Sequence, residues 1–599
     1  MNRRELLGRT TAAALLAPAL GAASRRATRR VRPTDAAWPS ESAWEGLKTR
    51  VGGRLVQPKA LFAPCADPAE ADACRALLKK SANPFFLGEQ VSGTQVSGWF
   101  KAWTPEPSAY AVVAQRPEDV SEGVNFAREH NLRLVVKGPG HSYLGCSNAP
   151  DSLLIWTRSM SDVIVHDAFA PHGCEAVCEA VPAVSAGGGS VWIDVYNAAA
   201  VQRGRYAQGG GCTDVGVAGL VQGGGFGSFS KGFGSAGASL IEAEVVTADG
   251  RIRTVNARRD PDLFWALKGG GGGNFAVITR ATLKTHPLPS AFGAVGGAFK
   301  ASSDAAFRAL LDRFFTVYAA NLLNPHWGEQ AHLEPGNVLR ITMLSQGLDE
   351  AQMRAAWRPL LEWVGDAKNG VQAIEPFYAV AIPPRLFWDM EKHKALGIHD
   401  ATFDDRPGAP AWHAWWNGDQ GQVGAYLYGY DSTWLPRRLL EPAQRPSLVD
   451  AFFEASRAYK IDLHFNKGLA GAPPEAIAAS RDTPMNAAAL DAFVLVIVAD
   501  GGLPAYKGSP FPPVAAAAAQ RTADAIDRAM LPLRRLAPHA GSYVAESNFF
   551  NPNWREEYWG EHYARLRRIK ARYDPDGLFI THHGVGSEDW SPDGFEPVA

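Results

Sequence analysis

The sequence predicts an α+β protein of at least two domains, the second built on an antiparallel sheet covered by helices. Three observations lead there. At 599 residues the chain exceeds what one hydrophobic core serves. Between residues 106 and 289, short strand patterns and short helices alternate with dense glycine loops. After Pro287-Leu288-Pro289 the character changes, and longer amphipathic helices alternate with strands over 290–535, the pattern of a sheet with helices on one face.

The elements can be justified in chain order. Arg3-Arg4 precede Glu5-Leu6-Leu7-Gly8, a small-residue apolar stretch runs from Thr10 to Ala19, and Gly21-Ala22-Ala23 offers a cleavage point. Residues 1–23 are therefore expected to be a twin-arginine signal peptide, read by the twin-arginine export machinery, which carries folded proteins to the periplasm or beyond. Residues 24–105 form an N-terminal extension with few periodic signals. Glu118 and Asp119 open a helix whose Val120, Val124 and Ala127 share a face, and Asn131 ends it. Strands follow at Leu132 to Val136 and Leu153 to Trp156, and a helix is expected over Val191 to Arg203. Ile241 to Thr247 and Arg251 to Val255 flank Ala248-Asp249-Gly250 as a hairpin. A short helix, Asp260 to Leu267, leads through Gly269–Gly273 into a strand from Phe275 to Lys284. Beyond the boundary, Phe307 to Leu322 and Asp349 to Val364 read as helices, and Val338 to Leu344 and Phe493 to Ala499 as strands.

Composition narrows the function classes. With 60 basic and 61 acidic residues the net charge is -1, and no basic run beyond the N-terminus argues for nucleic acid. No later apolar run approaches the ~18 residues of a membrane span. Six cysteines are present. The spacing suits a Cys65–Cys74 bridge, while Cys174 and Cys178 either pair or lie in a solvated loop. The pair has no two further ligands in view, so no metal site is expected. Cys146 is the candidate free thiol. Gly232-Phe233-Gly234-Ser235-Ala236-Gly237 spells a dinucleotide fingerprint, yet it runs into a strand where that motif needs a helix, and is set aside.

Two glycine-framed stretches concentrate the chemistry: Gly138-Pro139-Gly140-His141-Ser142-Tyr143-Leu144-Gly145 and Gly209-Gly210-Gly211-Cys212-Thr213-Asp214-Val215-Gly216-Val217-Ala218-Gly219. Each sets one nucleophilic side chain among residues that let backbone lie flat against a ligand. These stretches, with Ala243 to Arg251 and Asp262-Leu263-Phe264-Trp265-Ala266-Leu267-Lys268-Gly269 to Phe275, resemble successive landmarks of the vanillyl-alcohol-oxidase-type (PCMH-type) FAD domain. Tyr558-Trp559-Gly560, Arg565-Leu566, Ile569-Lys570 and Tyr573-Asp574-Pro575 are similar to the C-terminal segment of berberine-bridge-enzyme-like oxidases. The resemblance covers about 110–290 and 540–590, and is loose between them.

It implies a two-subdomain FAD-binding domain over 106–289, a substrate domain over 290–535, and a C-terminal segment, 536–599, returning to the FAD domain. It further implies FAD held by two covalent bonds, from His141 to the 8α-methyl and from Cys212 to C6 of the ring. Gly138, Pro139, Gly140, Ser142, Tyr143 and Gly145 would form the loop that wraps the pyrophosphate, with backbone N–H groups from all of them but the proline. Gly211, Gly216, Gly219, Gly224, Gly225 and Gly227 would let backbone approach the cofactor, and Val215 stands where a small side chain admits dioxygen. Phe226 departs from the Tyr of plant members. Glu546 stands where those relatives keep a catalytic Tyr, either as the base or as a hydrogen-bonded structural residue. Tyr543 and His464 are further catalytic candidates, with Tyr428 or Tyr430 at the pocket. Trp415-Trp416 would be a stacking wall or, more simply, core. The implied activity is oxidation of an alcohol, a sugar-like compound or a secondary metabolite, with hydride passing to flavin N5 and dioxygen becoming hydrogen peroxide. The alternatives are a dehydrogenase with a quinone or protein acceptor, an oxidative cyclase, and a non-catalytic flavin-binding protein.

Overall fold

The computed structural model describes residues 28–175 and 177–598, so the expected export signal lies outside the described residues. Three large sheets organise the described residues, beside a two-stranded pair, Ala401–Phe403 with Ala414–Trp416. The first has the order Leu55–Val56, Tyr110–Val113, Ser152–Trp156, Arg133–Lys137, with the last three strands parallel and the first antiparallel. The helix Pro117–Glu129 covers it with Val120, Val124, Phe126 and Ala127, all buried. This helix starts as the sequence requires, with Pro at its first turn beside Glu118 and Asp119, and the chain leaves it through Asn131 at φ 50°. Although the N-terminal extension shows few periodic signals, it supplies the edge strand Leu55–Val56 and the helices Glu41–Arg50 and Ala71–Lys80.

The second sheet is antiparallel, in the order Val163–Phe169, Val181–Gly187, Ala276–Pro287, Leu240–Thr247, Ile252–Asn256, with Arg205–Ala207 also on Ala276–Pro287. The expected Val191-to-Arg203 helix is an α-helical turn, Trp192–Tyr196, continued as a π-helix, Asn197–Gln202. The set-aside glycine motif does run through a short 3₁₀ turn, Gly237–Ser239, into a strand.

The third sheet has seven antiparallel strands in the order Val371–Ile382, Phe292–Ala301, Val338–Gln346, Trp327–Glu334, Ile461–His464, Ala492–Gly502, Tyr426–Pro436. Helices Asp304–Val317, Glu350–Gly365, Arg445–Ala458 and Ala516–Leu536 pack on it, and alternate strand residues such as Leu339, Ile341 and Met343 join their core. Asp349 closes a capping box with Gln352 at the start of the second helix. The opposite face of this sheet turns toward the first two sheets.

The C-terminal segment ties the regions together. Trp559 Nε1 donates to Gly269 O at 3.0 Å, and Lys570 Nζ reaches Asn274 O and Asp574 Oδ2, each at 2.6 Å. Cys65–Cys74 and Cys174–Cys178 are disulfides, and Cys146 and Cys212 are free. Among the described residues no helix is long and apolar enough to cross a membrane, and no His, Cys, Asp and Glu cluster could hold a metal ion.

Candidate active site

One cavity of about 1340 Å³ lies between the sheets and is lined by all three, by the glycine loops and by the C-terminal segment. That exceeds the ~300–1,000 Å³ of an ordinary small-molecule site. It is large enough for a dinucleotide and a second ligand together. The loop after Arg133–Lys137 forms one wall. Gly140 at φ 91° and Gly145 at φ 75° turn it, and a Cβ on Gly145 would lie 2.6 Å from the Trp103 ring. Among the described residues, the backbone N–H groups of Gly140, His141, Ser142 and Tyr143 donate to no protein acceptor. Such a row of free amides suits an anion.

Buried polar atoms without partners are also gathered around this cavity. Arg133 Nε and Nη1, Asn148 Oδ1, Gln222 Oε1, Asn466 Oδ1 and Asp419 Oδ2 all belong to lining residues. Unsatisfied groups so collected mark a site for a polar ligand. The free amides, the guanidinium and the volume fit a flavin dinucleotide.

His141 and Cys212 face the same space. His141 Nε2 meets Asp214 Oδ2 at 2.6 Å, and Asp214 is itself buried, which orients the ring and leaves Nδ1 without a protein partner. Burial, and next the Asp419 and Asp214 carboxylates, push the Cys212 thiol well above its ordinary range. Gly138, Pro139, Gly211, Val215, Gly216 and Gly219 line the cavity with them.

Gly224, Gly225 and Gly227 do not line it, which corrects the expectation placed on them. A Cβ on Gly224 would meet Met485 Sδ at 2.1 Å, and one on Gly227 would meet Gly209 O at 1.7 Å. These glycines let chain approach chain, and the neighbouring Gly223 and Phe226 reach the cavity instead.

The facing wall is made of side chains. Glu546 receives Lys467 Nζ on both carboxylate oxygens, at 2.6 and 2.5 Å. Ser432 Oγ holds the Glu546 carbonyl at 2.5 Å, and Trp434 Nε1 holds the Lys467 carbonyl at 2.8 Å, so both partners are anchored through their backbones. His464 accepts at Nδ1 from Gln330 Nε2 at 3.2 Å, and burial, then Lys467, hold its pKa well below the usual value. It stays neutral. Tyr143 and Tyr430 stack obliquely at 5.0 Å, and burial, then Glu546, raise both hydroxyls. Tyr543 is buried with its ring edge-on to Phe226 at 5.2 Å. Trp415 and Trp416 line the cavity, and Tyr428 does not.

Two acidic residues complete this wall without any sequence signal. Glu329 lies in the strand Trp327–Glu334, whose Trp327, Ala331 and Leu333 face the helical core. Strict alternation would send Glu329 the same way. Its φ of 64° takes it off that alternation, and both Glu329 and Gln330 line the cavity. Burial raises the Glu329 carboxyl above the ordinary carboxylate range. Asp419, on the turn Asn417–Gln422, is raised to about 7 by burial and then by Asp214.

Comparison with known proteins agrees with this architecture. Residues 107–256 match the model of the FAD binding domain, and residues 542–586 match that of berberine and berberine-like proteins. The FAD-linked oxidoreductase asqF of Emericella nidulans is 28% identical, over 95% of this chain and 96% of its own. The VAO-type flavoprotein oxidase VAO615 of Thermothelomyces thermophilus is 29% identical, over 94% of each chain. The crystal structure of VAO-type flavoprotein MtVAO615 from Myceliophthora thermophila superposes with a TM-score of 0.75 at 25% identity, covering 94% of this chain and 98% of that one. Glucooligosaccharide oxidase from Acremonium strictum, described with a 6-S-cysteinyl, 8α-N1-histidyl FAD, shares the fold with a TM-score of 0.60 at 19% identity, over 86% of this chain and 99% of its own. Fold, cavity and matches together define a flavoenzyme of the vanillyl-alcohol-oxidase type. Within it, the chain carries an FAD binding domain and a berberine-like C-terminal segment, and the relatives it resembles along its length are FAD-linked oxidoreductases.

Proposed function

We propose that this protein is an oxidase in which FAD is bound covalently through His141 and Cys212, and that it oxidises a hydroxyl-bearing substrate with dioxygen as acceptor. The observation that carries the reading is the shared cavity: His141 and Cys212 enter from one side, and the Glu546–Lys467 pair from the other. When bound, FAD supplies the two-electron acceptor for a hydride, and dioxygen takes those electrons on to give hydrogen peroxide. The chain's own residues do the rest. Asp214 fixes His141 so that Nδ1 is the nitrogen presented to the 8α-methyl. Lys467 holds the Glu546 carboxylate in one orientation, ready to accept the substrate hydroxyl proton. Burial raises the Glu329 carboxyl, and in its protonated form it can donate a hydrogen bond where Glu546 accepts one. Trp416, Tyr143 and Tyr430 offer flat surfaces to a ring-shaped or polyol substrate. Val215 lines the cavity, where a side chain of its size would admit dioxygen to the ring. The twin-arginine-like start belongs to the same reading, since export in the folded state lets the cofactor be inserted beforehand.

The test is acid-denatured protein on a gel, scanned for flavin fluorescence. Wild type is expected to retain it, His141→Ala and Cys212→Ala each to retain it through the other bond, and the double variant to lose it. Loss of all flavin from the wild type defeats the covalent reading. Peroxide release against a panel of alcohols and oligosaccharides then finds the substrate; persistent bleaching in air with a reducing substrate would replace oxidase by dehydrogenase.

A further inference from the structure

Cys212 sits in a loop that the short strand Ala414–Trp416 clamps from outside. Thr213 Oγ1 donates to Ala414 O at 2.6 Å and Trp416 Nε1 to Gly211 O at 3.1 Å, so the two bonds bracket the cysteine. The turn Asn417–Gln422 follows directly, and Trp415 Nε1 pins it through Gln420 Oε1 at 2.8 Å. This brings the Asp419 carboxyl and the Cys212 thiol to the same stretch of cavity wall, and among the described residues Asp419 Oδ2 is buried with no partner. The proposed oxidation gives Asp419 no task. A buried carboxyl oxygen left unpaired is destabilising, so its retention asks for a reason.

The reason lies in the thiol. Only the thiolate is an effective sulfur nucleophile. Burial and the flanking carboxylates push the Cys212 thiol well up, so the cysteine does not ionise unaided near neutral pH. A base in contact with it is needed.

The geometry points to Asp419 as the proton acceptor that lets Cys212 form its bond to the flavin, so that the chain carries its own attachment chemistry for the second tether. This rests on the reading that Cys212 is an attachment point. In the overall step, the S–H bond of Cys212 and one ring C–H bond are replaced by one C–S bond. The sulfur proton passes to Asp419, the ring hydrogen leaves as a proton, and the two electrons released reduce dioxygen. Both protons end in hydrogen peroxide. The groups facing Asp419 suit it to the role. Burial, Asp214 and Glu329 raise its carboxyl, while the Cys212 thiol and His141 lower it, to a balance of about 7. Tyr143 also faces it, and Lys467 faces the thiol. A base poised near the working pH is the efficient one.

The experiment uses full-length protein as expressed, digested and analysed by peptide mass spectrometry for flavin on the His141 and Cys212 peptides, with alkylation of denatured Cys212 as a second readout. Wild type should carry both adducts. Asp419→Asn should keep the His141 adduct, lose the Cys212 adduct by ~10²-fold in formation rate, and leave Cys212 open to alkylation. Incubating that variant in air at progressively more alkaline pH should restore the adduct in step with ionisation of the thiol, which solvent hydroxide then brings about without a neighbouring base. A structural role would not respond to pH in this way. Asp419→Glu, which keeps an acceptor, should form the adduct at neutral pH. A wild-type level of Cys212 adduct in Asp419→Asn at neutral pH overturns the inference. Absence of that adduct from wild type instead overturns the tether reading beneath it. If the Asn variant holds no flavin at all, Asp419→Ser decides by the same alkaline rescue, and its forming the adduct fully at neutral pH is equally fatal.

Discussion

On the side of the first sheet the cavity is walled by backbone, and on the side of the seven-stranded sheet it is walled by charge. The loop Gly138–Gly145 presents unpaired amides and turns on two glycines at positive φ, with His141 as its one reactive side chain. Across the cavity, Glu546, Lys467, Glu329 and His464 come from three separate stretches of chain. The first wall recognises a phosphate-bearing group through hydrogen bonds that any residue's amide can make, and it needs glycine for access. The second depends on which side chains are brought together and on how deeply each is buried. Holding a cofactor and acting on a substrate are thus built from different materials, and substitutions should separate them.

The largest separation is expected at Glu546. Glu546→Gln should lower kcat by ~10²–10⁴-fold while the flavin absorbance per chain stays at the wild-type level. An active Gln variant would move the base elsewhere in the wall. The converse is Gly145→Leu, whose Cβ would strike Trp103. Flavin content should fall to under about a tenth of wild type, because the φ and the space both demand glycine. Normal flavin loading would mean that the loop can yield, and the contrast between the walls would blur.

A smaller effect is expected at Glu329. Glu329→Ala should reduce kcat about tenfold, the worth of one well-placed hydrogen bond, and Glu329→Gln, which keeps a donor, by less. Equal losses in both variants would show that the carboxyl acts as an ion. The smallest effect lies behind both walls, at His286. Its ring rests on Phe233 at 4.8 Å, and burial, then Lys284, lowers its pKa to about 4. The folded state holds it neutral, while the unfolded chain protonates it below about 6.5. Its contribution to stability is therefore complete above pH 6.5 and lost as pH falls toward 4. His286→Gln should flatten the decline in melting temperature over that window, with activity at neutral pH unchanged.

The same contrast explains how legible each region is. Strands such as Ser152–Trp156 and Ala276–Pro287 lie within a few residues of where period and punctuation put them, because one buried face leaves its mark locally. The N-terminal extension was harder to read, since its edge strand Leu55–Val56 has only two residues and exists through its partner at Tyr110–Val113. The Gly223–Gly227 run shows the limit of glycine as a signal. Close approach is written in the residue, but whether a ligand or another stretch of chain approaches is not.

What the amino-acid sequence determined by itself is local: two glycine-framed loops, a His and a Cys set into them, and the alternation of elements that carries them. Each follows from steric freedom or burial within a few residues. Only the tertiary structure decided the chemistry on the facing wall. Lys467 and Glu546 are 79 residues apart in the chain and share two hydrogen bonds. Glu329 leaves the alternation of its strand through one backbone torsion. Asp419 shares a stretch of cavity wall with Cys212 because two side-chain bonds fold its turn onto the loop. Charge placement and burial are properties of the assembled cavity, so no window of sequence contains them.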